Sequence, residues 1–304
     1  MKSNFPHIGL AKLCGWFGIT RQAYYQNNWE GISRTIEEDI LLREIKLIRK
    51  LHPRMGGRKL YVKLEAFMLE HSIKLGRDGL FDLLTRNNLL IRKRRRKIQT
   101  TNSRHRFKKY PNLIRDFVPT APNQLWVSDI TYLKISTGKH LYLSFITDAY
   151  SHKVVGYQIA ETLEAIESIQ ALKMAISSLS TDSHFQLIHH SDRGLQYCSN
   201  TYVKLLKENG ILISMTENGD PLENSIAERI NGILKGEYLE TYKITNLTQA
   251  KRLLKHTVCL YNNERPHLSI ENLTPNQIHN EKTGIKVKRL WKNYYRKKTT
   301  FVNQ

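Results

Sequence analysis

Three acidic residues stand out because of the sequence around them. Asp129 interrupts the apolar and β-branched run WVSDITYL, where a buried carboxylate is costly unless it is hydrogen-bonded or meets a cation. Asp192 follows the apolar run FQLIHH, and ligand sites of α/β sheets gather where strands end at their carboxyl termini. Glu228 lies in ENSIAERINGILKGE on one helical face with Asn231 and Lys235. Each acid taken singly has an ordinary structural or surface explanation, so their joint placement decides the interpretation.

The pattern from about residue 123 predicts the elements that position these acids. Three β-rich runs, QLWVSDITYLKI, HLYLSFITDAY and KVVGYQIA, are separated by turn residues and indicate a three-stranded meander. FQLIHH predicts a buried strand, SNTYVKLLKENG a helix that stops at Gly210, and ILISM another strand. The order of three strands, helix, strand, helix, strand and helix predicts an α/β fold of the ribonuclease-H-like type, with a mixed five-stranded sheet and flanking helices.

Two of the predicted helices are specified in more detail. The helix that carries Glu228 is expected to begin near Pro221, with Asp220 as its N-cap and Glu223 as the capping-box acid. The segment TLEAIESIQALKMAISSL predicts the first helix after the meander. Its expected apolar stripe consists of Leu163, Ile166, Ile169, Leu172, Met174 and Ile176.

A helical region precedes the predicted sheet. LAKLCGWFGITRQAYYQ indicates two short helices around Gly18, with Thr20 capping the second, and three further helical runs suit a compact helix-turn-helix-like DNA-binding domain. A helical bundle without a DNA role stays open, because periodicity does not identify a recognition helix. The predicted organisation is an N-terminal helical segment (1–35), the helix-turn-helix-like domain (36–91), a basic linker (92–120), the catalytic core (121–280) and a basic aromatic tail (281–304).

The charge of the chain favours nucleic acid as its partner. Its 48 Lys and Arg against 27 Asp and Glu give a formal net charge of +21, as expected of a polyanion binder. The linker begins RKRRRK, and the residues expected to contact DNA phosphates there are Arg92, Lys93, Arg94, Arg95 and Arg96. The C-terminal KVKRLWKNYYRKK interleaves aromatic and basic residues, which suits stacking on unpaired bases or packing on the core.

The cysteines and histidines give no zinc site or disulfide framework. Cys14, Cys198 and Cys259 are far apart and odd in number, which favours a reducing compartment. His189 and His190 have no partners at ligand spacing, so we expect them to pack at a strand end, with His190 a candidate partner of the site. No basic-then-apolar leader opens the chain and no stretch reaches a membrane span, so we expect a cytoplasmic, nucleoid-associated protein.

Taken together, the acids resemble the DDE signature of retroviral integrases and transposases. Between Asp192 and Glu228 lie 35 residues, a separation typical of that superfamily. WVSDITYL, HHSDRGLQY, ENSIAERINGILKGE and YNNERPHLSIENLTPNQI, within residues 124 to 278, resemble the OrfB-type transposases of bacterial two-frame insertion elements. The chain departs from that family at Glu223, Asn224 and Ser225, where the family commonly has Asp-Asn-Ala, and it lacks the zinc module of retroviral integrases.

The resemblance implies an integrase core that cleaves DNA and transfers the strand. It implies that Asp129, Asp192 and Glu228 hold two Mg²⁺ or Mn²⁺ ions, with Asp129 bridging both, since clustered carboxylates repel one another without cations. Lys235 is similar to the family's basic residue that grips DNA near the cut. The implied partners are the terminal inverted repeats of the element, target DNA, further copies of the chain and the protein of an upstream frame. The motif YNNERPH has no mechanical explanation, and for Tyr261 we favour packing or DNA contact over a nucleophilic role.

Two other functions stay open at this point. A ribonuclease-H-fold nuclease that only hydrolyses nucleic acid shares the chemistry, but it does not need the helical domain and the basic segments. A catalytically silent DNA-binding remnant needs those segments, but it does not need three intact acids.

Overall fold

The structure of the 304-residue chain is a computed structural model. It describes residues 6–91, 106–179, 186–217 and 224–280, and for residues 27–35 it describes the backbone alone. The chain divides into two compact units. One consists of Met1–Leu51 with Lys63–Leu90, and the other of His52–Val62 with Ile91–Gln304.

Helices make up the described chain before residue 91. They are α1 (Leu10–Trp16), α2 (Arg21–Leu51), α3 (Gly57–Glu70) and α4 (Arg77–Arg86). Gly18 takes a φ of +67° between α1 and α2, and the Ala23 N–H donates to Thr20 Oγ1 at 3.0 Å, which confirms the predicted cap. Leu41, Ile45 and Leu64, which are apolar residues at helical spacing in this region, are all buried.

The second helix is longer than the sequence pattern predicts. It runs without interruption past the predicted domain boundary at residues 35 and 36. Between Arg21 and Leu51 there is no proline and one glycine, Gly31, so nothing in the sequence stops the helix. The chain passes between the two units after Leu51, after Val62 within α3, and after Leu90.

A mixed five-stranded sheet forms the centre of the second unit. Its strands are β1 (Leu125–Lys134), β2 (His140–Asp148), β3 (Val154–Ala160), β4 (Ile188–Ser191) and β5 (Leu212–Met215). Their order is β3-β2-β1-β4-β5, with β1, β2 and β3 antiparallel to their neighbours in the meander, and with β4 parallel to both β1 and β5. The meander and the later crossovers were both predicted, and the ribonuclease-H-like fold class is confirmed.

Helices and helical turns flank this sheet. They are α5 (Ala165–Ser177), α6 (Leu195–Cys198), α7 (Asn200–Glu208), α8 (Ser225–Ile233), α9 (Leu247–Glu264) and α10 (Pro275–His279). A π-helical turn (Leu234–Tyr238) and a 3₁₀ turn (Leu239–Thr241) continue α8 directly. The predicted start of that helix near Pro221, with Asp220 and Glu223, lies outside the described residues.

The buried face of α5 differs from the expected apolar stripe. Ile169 and Leu172 are buried, but Leu163, Ile166 and Met174 are 42%, 47% and 40% exposed. The helix turns small residues toward the sheet instead, and these are Ser168, Ala171 and Ala175. Small residues allow a close approach, and a Cβ at Gly156 of β3 would clash with the carbonyl oxygen of Ala171.

The end of the predicted basic linker packs against the sheet. The Leu113 N–H donates to Ser214 Oγ at 2.9 Å, and the Met215 N–H of β5 donates to the Pro111 carbonyl at 3.2 Å. Ile114 is buried in a cluster with Leu125. Residues 111–114 thus contact the sheet directly.

Candidate active site

Asp129 lies in the middle of β1, where helix α8 is attached to the strand. Asn231 Nδ2 donates to Asp129 Oδ2 at 2.8 Å, and Asn224 Nδ2 donates to the Ser128 carbonyl at 2.9 Å. Both asparagines are buried and lie on the helical face that carries Glu228. The sequence placed them on that face, but it gave them no role. Their seven-residue spacing around Glu228 was the available signal.

Asp192 follows β4, which pairs in parallel with β1. Ser191 is the register partner of Ser128, so Asp192 and Asp129 come next on the two adjacent strands. The Gly194 N–H donates to Asp192 Oδ1 at 3.0 Å, and a Cβ at Gly194 would lie 2.9 Å from that oxygen. Glycine at this position therefore lets the backbone approach the carboxylate and orient it.

The three acids lie within electrostatic reach of one another. Burial raises the pKa of Asp129 to about 8, helped by the negative charges of Asp192 and Glu228 and opposed by the hydrogen bond from Asn231. The pKa of Glu228, which is exposed, is also raised, by partial burial and by Asp192. The structure thus places the three predicted residues, from β1, the end of β4 and α8, close enough for their charges to interact.

A layer of buried aromatic and histidine side chains supports the two strands. Tyr197 of α6 is buried, and burial, Tyr202 and the charges of Asp129 and Asp192 raise its pKa well above the ordinary value. His189 Nε2 lies 2.7 Å from Ser128 Oγ, and burial lowers the pKa of His189 to about 3. This histidine lies inside β4 rather than at its end, and it packs against Ser128 of β1 and Tyr202 of α7.

His190, the other histidine of the pair, contacts β5. Its Nδ1 lies 2.8 Å from Ser214 Oγ, so its hydrogen bond joins β4 to β5. Within the described ranges, no group of three or more His, Cys, Asp and Glu side chains is placed so that it could hold a metal ion.

Of the six residues predicted to contact DNA, the structure describes one, Lys235. Lys235 Nζ lies 4.3 Å from the centroid of the Tyr132 ring and 3.9 Å from Glu240 Oε1, and its side chain is 17% exposed. It belongs to the π-helical turn, so the straight helical face expected to join it to Glu228 ends at Ile233. Residues 92–96 of the basic linker lie outside the described residues, as do the aromatic residues of the C-terminal tail.

Comparisons with known proteins agree with this geometry. Residues 119–221 and 209–275 match two family models, each described as an integrase core domain. The 31 kDa protein of insertion element IS600 from Shigella sonnei is 35% identical over 269 residues, which cover 86% of this chain and 96% of that protein. The transposase for insertion sequence element IS629 from Shigella sonnei is 30% identical over 264 residues, covering 84% of this chain and 86% of that protein.

Solved structures were also found, among them the catalytic core domain of HTLV-2 integrase in complex with magnesium. It has a TM-score of 0.43 and 23% identity, and the match covers 53% of this chain and 98% of that one.

The sheet order and the family match define an integrase core domain. The chain belongs to the transposases of insertion elements. It is accordingly a DNA transposase of the DDE type, an enzyme that binds DNA and catalyses transposition of an insertion element. The predicted family, fold and activity are confirmed. In the part of the chain that the structure describes, no helix has both the length and the apolar character needed to cross a bilayer.

Proposed function

We propose that Asp129, Asp192 and Glu228 are the catalytic residues of this transposase and that they bind two divalent cations, Mg²⁺ or Mn²⁺. The observation that carries the proposal is that three separate elements place the three acids within electrostatic reach of one another, where burial, and then the charges of the neighbouring acids, raise the pKa of Asp129 and Glu228. Acids that oppose one another's ionisation are poised to take up a cation.

The donor set fits hard, oxygen-preferring ions. Carboxylate oxygens are the ligands that Mg²⁺ prefers, and Asn231 Oδ1 adds a buried amide oxygen without a hydrogen-bond partner among the described residues. Mg²⁺ is usually held by one or two carboxylates together with phosphate oxygens of the substrate, rather than by a complete protein cage. A site that lacks a ready three-residue cluster is therefore compatible with an ion that binds together with DNA.

The residues around the acids orient the carboxylate side chains. Asn231 holds one carboxylate oxygen of Asp129, and the Gly194 N–H holds one oxygen of Asp192, so each aspartate meets the DNA in a fixed rotamer. Glu228 is exposed, so its side chain can turn toward the other two acids when DNA arrives. When bound, the two cations supply charge stabilisation to the attacking and leaving oxygens of a displacement at a phosphodiester. Cleavage leaves a 3′ hydroxyl, and joining uses that hydroxyl as the attacking group.

The test replaces one acid without changing its shape. Asp192→Asn is expected to abolish cleavage and strand transfer on a labelled element end while the affinity for that DNA stays near wild type. Asp116→Asn, on an exposed side chain of the same unit, is the matched control and should keep full activity. Retained cleavage in Asp192→Asn would refute the assignment, and loss of DNA binding together with activity would favour a protein that only binds DNA.

We further propose that Lys235 and the basic residues 92–96 contact DNA phosphates. The charge of the linker supports this, because a run of arginine and lysine releases counterions when it binds a duplex. The same charge supports association with the nucleoid.

The family resemblance also supports two partners, further copies of this chain on the DNA and the protein of an overlapping upstream frame. Sequencing the DNA that flanks the gene tests the second partner. An overlapping small upstream frame between inverted repeats is the expected result, and its absence would remove that partner.

A further inference from the structure

The motif YNNERPH (residues 261–267) had no explanation from the sequence. Its first two residues attach helix α9 to the sheet. Asn262 Oδ1 accepts the Val154 N–H at 3.0 Å, and Asn262 Nδ2 donates to the Val154 carbonyl at 3.0 Å. Tyr261, which is fully buried, donates its hydroxyl hydrogen to the His152 carbonyl at 3.0 Å. The end of α9 is therefore fixed to the first residues of β3 and to the turn before it.

The arginine of the motif holds an acid in the chain segment that continues α8. Arg265 is fully buried, and its Nε and Nη2 donate to the two carboxylate oxygens of Glu237, each at 2.8 Å. Its Nη1 lies 2.9 Å from His267 Nε2. A bidentate guanidinium–carboxylate pair fixes both distance and direction, whereas a buried ion pair contributes little net stability. The pair is thus better suited to positioning than to stabilisation.

Glu264 of the motif is linked through His52 to Tyr238, the residue that follows Glu237. Glu264 Oε2 lies 3.2 Å from Nε2 of buried His52, and His52 Nδ1 lies 2.8 Å from the hydroxyl oxygen of Tyr238. Glu264 and Arg265 are adjacent at the end of α9, and they hold the adjacent pair of Tyr238 and Glu237.

These two contacts converge on the π-helical turn Leu234–Tyr238. The turn continues α8 directly from Ile233, so α8 and the turn form one uninterrupted helical segment. π-helical turns are rare, because their hydrogen-bond geometry is less favourable than that of an α-helix, and they occur frequently at functional sites. Such a turn depends on tertiary contacts to keep its shape. A change in its shape rotates or shifts α8, which carries Glu228 and Asn231.

We propose that Arg265 and Glu264 are positioning residues of the transposase, which lock the π-helical turn and thereby set the position of Glu228 relative to Asp129 and Asp192. The inference rests on the proposed function, since it takes Glu228 as a cation ligand. Arg265 is fully buried, and both residues act on the π-helical turn rather than on the reacting atoms. Their effect passes through Glu237, Tyr238 and the axis of α8.

Two variants weaken the contacts that hold the π-helical turn, and a third serves as a matched control. Arg265→Lys keeps the positive charge but loses the bidentate geometry, and Lys59 Nζ, 3.8 Å from Glu237 Oε1, leaves that acid paired. Tyr238→Phe removes only the hydroxyl that contacts His52. Tyr261→Phe removes an equally buried hydroxyl from the same network, but one that contacts the turn before β3 instead of the π-helical turn.

The measurement is the Mn²⁺ affinity of the full-length protein bound to an element-end duplex, by electron paramagnetic resonance with binding to the duplex alone subtracted, beside the melting temperature. All three variants should melt at lower temperature. Arg265→Lys should raise the Kd for Mn²⁺ by about tenfold, the usual effect of losing a contact that orients a metal ligand, and Tyr238→Phe by less. Tyr261→Phe should bind Mn²⁺ as the wild type does. If Arg265→Lys and Tyr238→Phe keep wild-type affinity, or if Tyr261→Phe weakens it equally, the motif has only a structural role.

Glu228→Gln distinguishes failure of this inference from failure of the proposed catalytic site. If Glu228→Gln binds Mn²⁺ with wild-type stoichiometry and affinity, Glu228 is not a ligand and both proposals fail. If Glu228→Gln loses one ion while Arg265→Lys keeps wild-type binding, the proposed catalytic site stands and only the positioning role is overturned.

Discussion

The negative charge of the site opposes folding when no cation is present. The pKa of Asp129 rises from its ordinary 3.8 to about 8, so between these values the folded chain holds a proton that the unfolded chain has lost. The free energy of unfolding of the metal-free protein should therefore fall as pH rises through this window. An acid retained at such a cost is typical of a functional position, because a neutral side chain would stabilise the fold.

Asp129→Asn makes this cost measurable. Asparagine can still accept the hydrogen bond from Asn231 but does not titrate, so the variant should melt above the wild type at pH 8 in chelator, with a smaller gap at pH 5. Added Mg²⁺ should raise the melting temperature of the wild type and leave that of the variant nearly unchanged. The exposed Asp116→Asn should show no gap at either pH. A variant that melts below the wild type at pH 8 in chelator would contradict the charge argument.

Helices and strands could be predicted where the pattern of apolar residues alone indicates which residues are buried. The β-rich runs of β1 to β3 and the apolar run of β4 follow from local pattern. The pairing of β4 with β1, which brings Asp192 next to Asp129, joins distant segments and does not. The outer face of α5 was not predictable, because Ile166 and Met174 are exposed while alanine and serine pack beside Ile169 and Leu172 in the buried face. Nor was the π-helical turn after α8, because Arg265, which holds it, lies 28 residues from Glu237 in sequence. Contacts between distant segments leave no periodicity to detect.

The close packing of α5 on β3 gives a prediction at this scale. Gly156→Ala places a methyl group against the Ala171 carbonyl, a backbone atom that cannot rotate away, so α5 must move outward. We expect a loss of about 1–3 kcal/mol in the free energy of unfolding, measured by urea denaturation. Gly15→Ala, on an exposed position of α1 where an added Cβ meets nothing within 4 Å, is the control and should leave stability unchanged or raise it by up to about 1 kcal/mol, because alanine is the better helix former. Equal stability of the two variants would mean that α5 is not held closely on the sheet.

At the scale of the whole molecule, positive charge separates this chain from an ordinary α/β enzyme. A formal net charge of +21 gives a field that attracts any duplex, and the transposase must bind both element ends and target DNA. What the net charge does not decide is whether binding is spread over the surface or concentrated at residues 92–96. The two cases differ in how affinity depends on salt, because each phosphate contact releases condensed counterions.

Replacing residues 92–96 by glutamine distinguishes the two cases. If all five contact phosphates, the slope of log affinity against log salt concentration should become shallower by about 4.5, and by about one for Lys235→Gln. The matched control removes the same number of charges from exposed positions of the core. These positions are Lys139, Lys173, Lys204, Lys251 and Lys255. The control lowers the net charge equally, so a concentrated interface predicts a small change in its slope, measured by fluorescence anisotropy on a duplex from 50 to 200 mM salt. Equal slopes for the two sets would instead show that binding depends on total charge, and residues 92–96 would lose their assigned role.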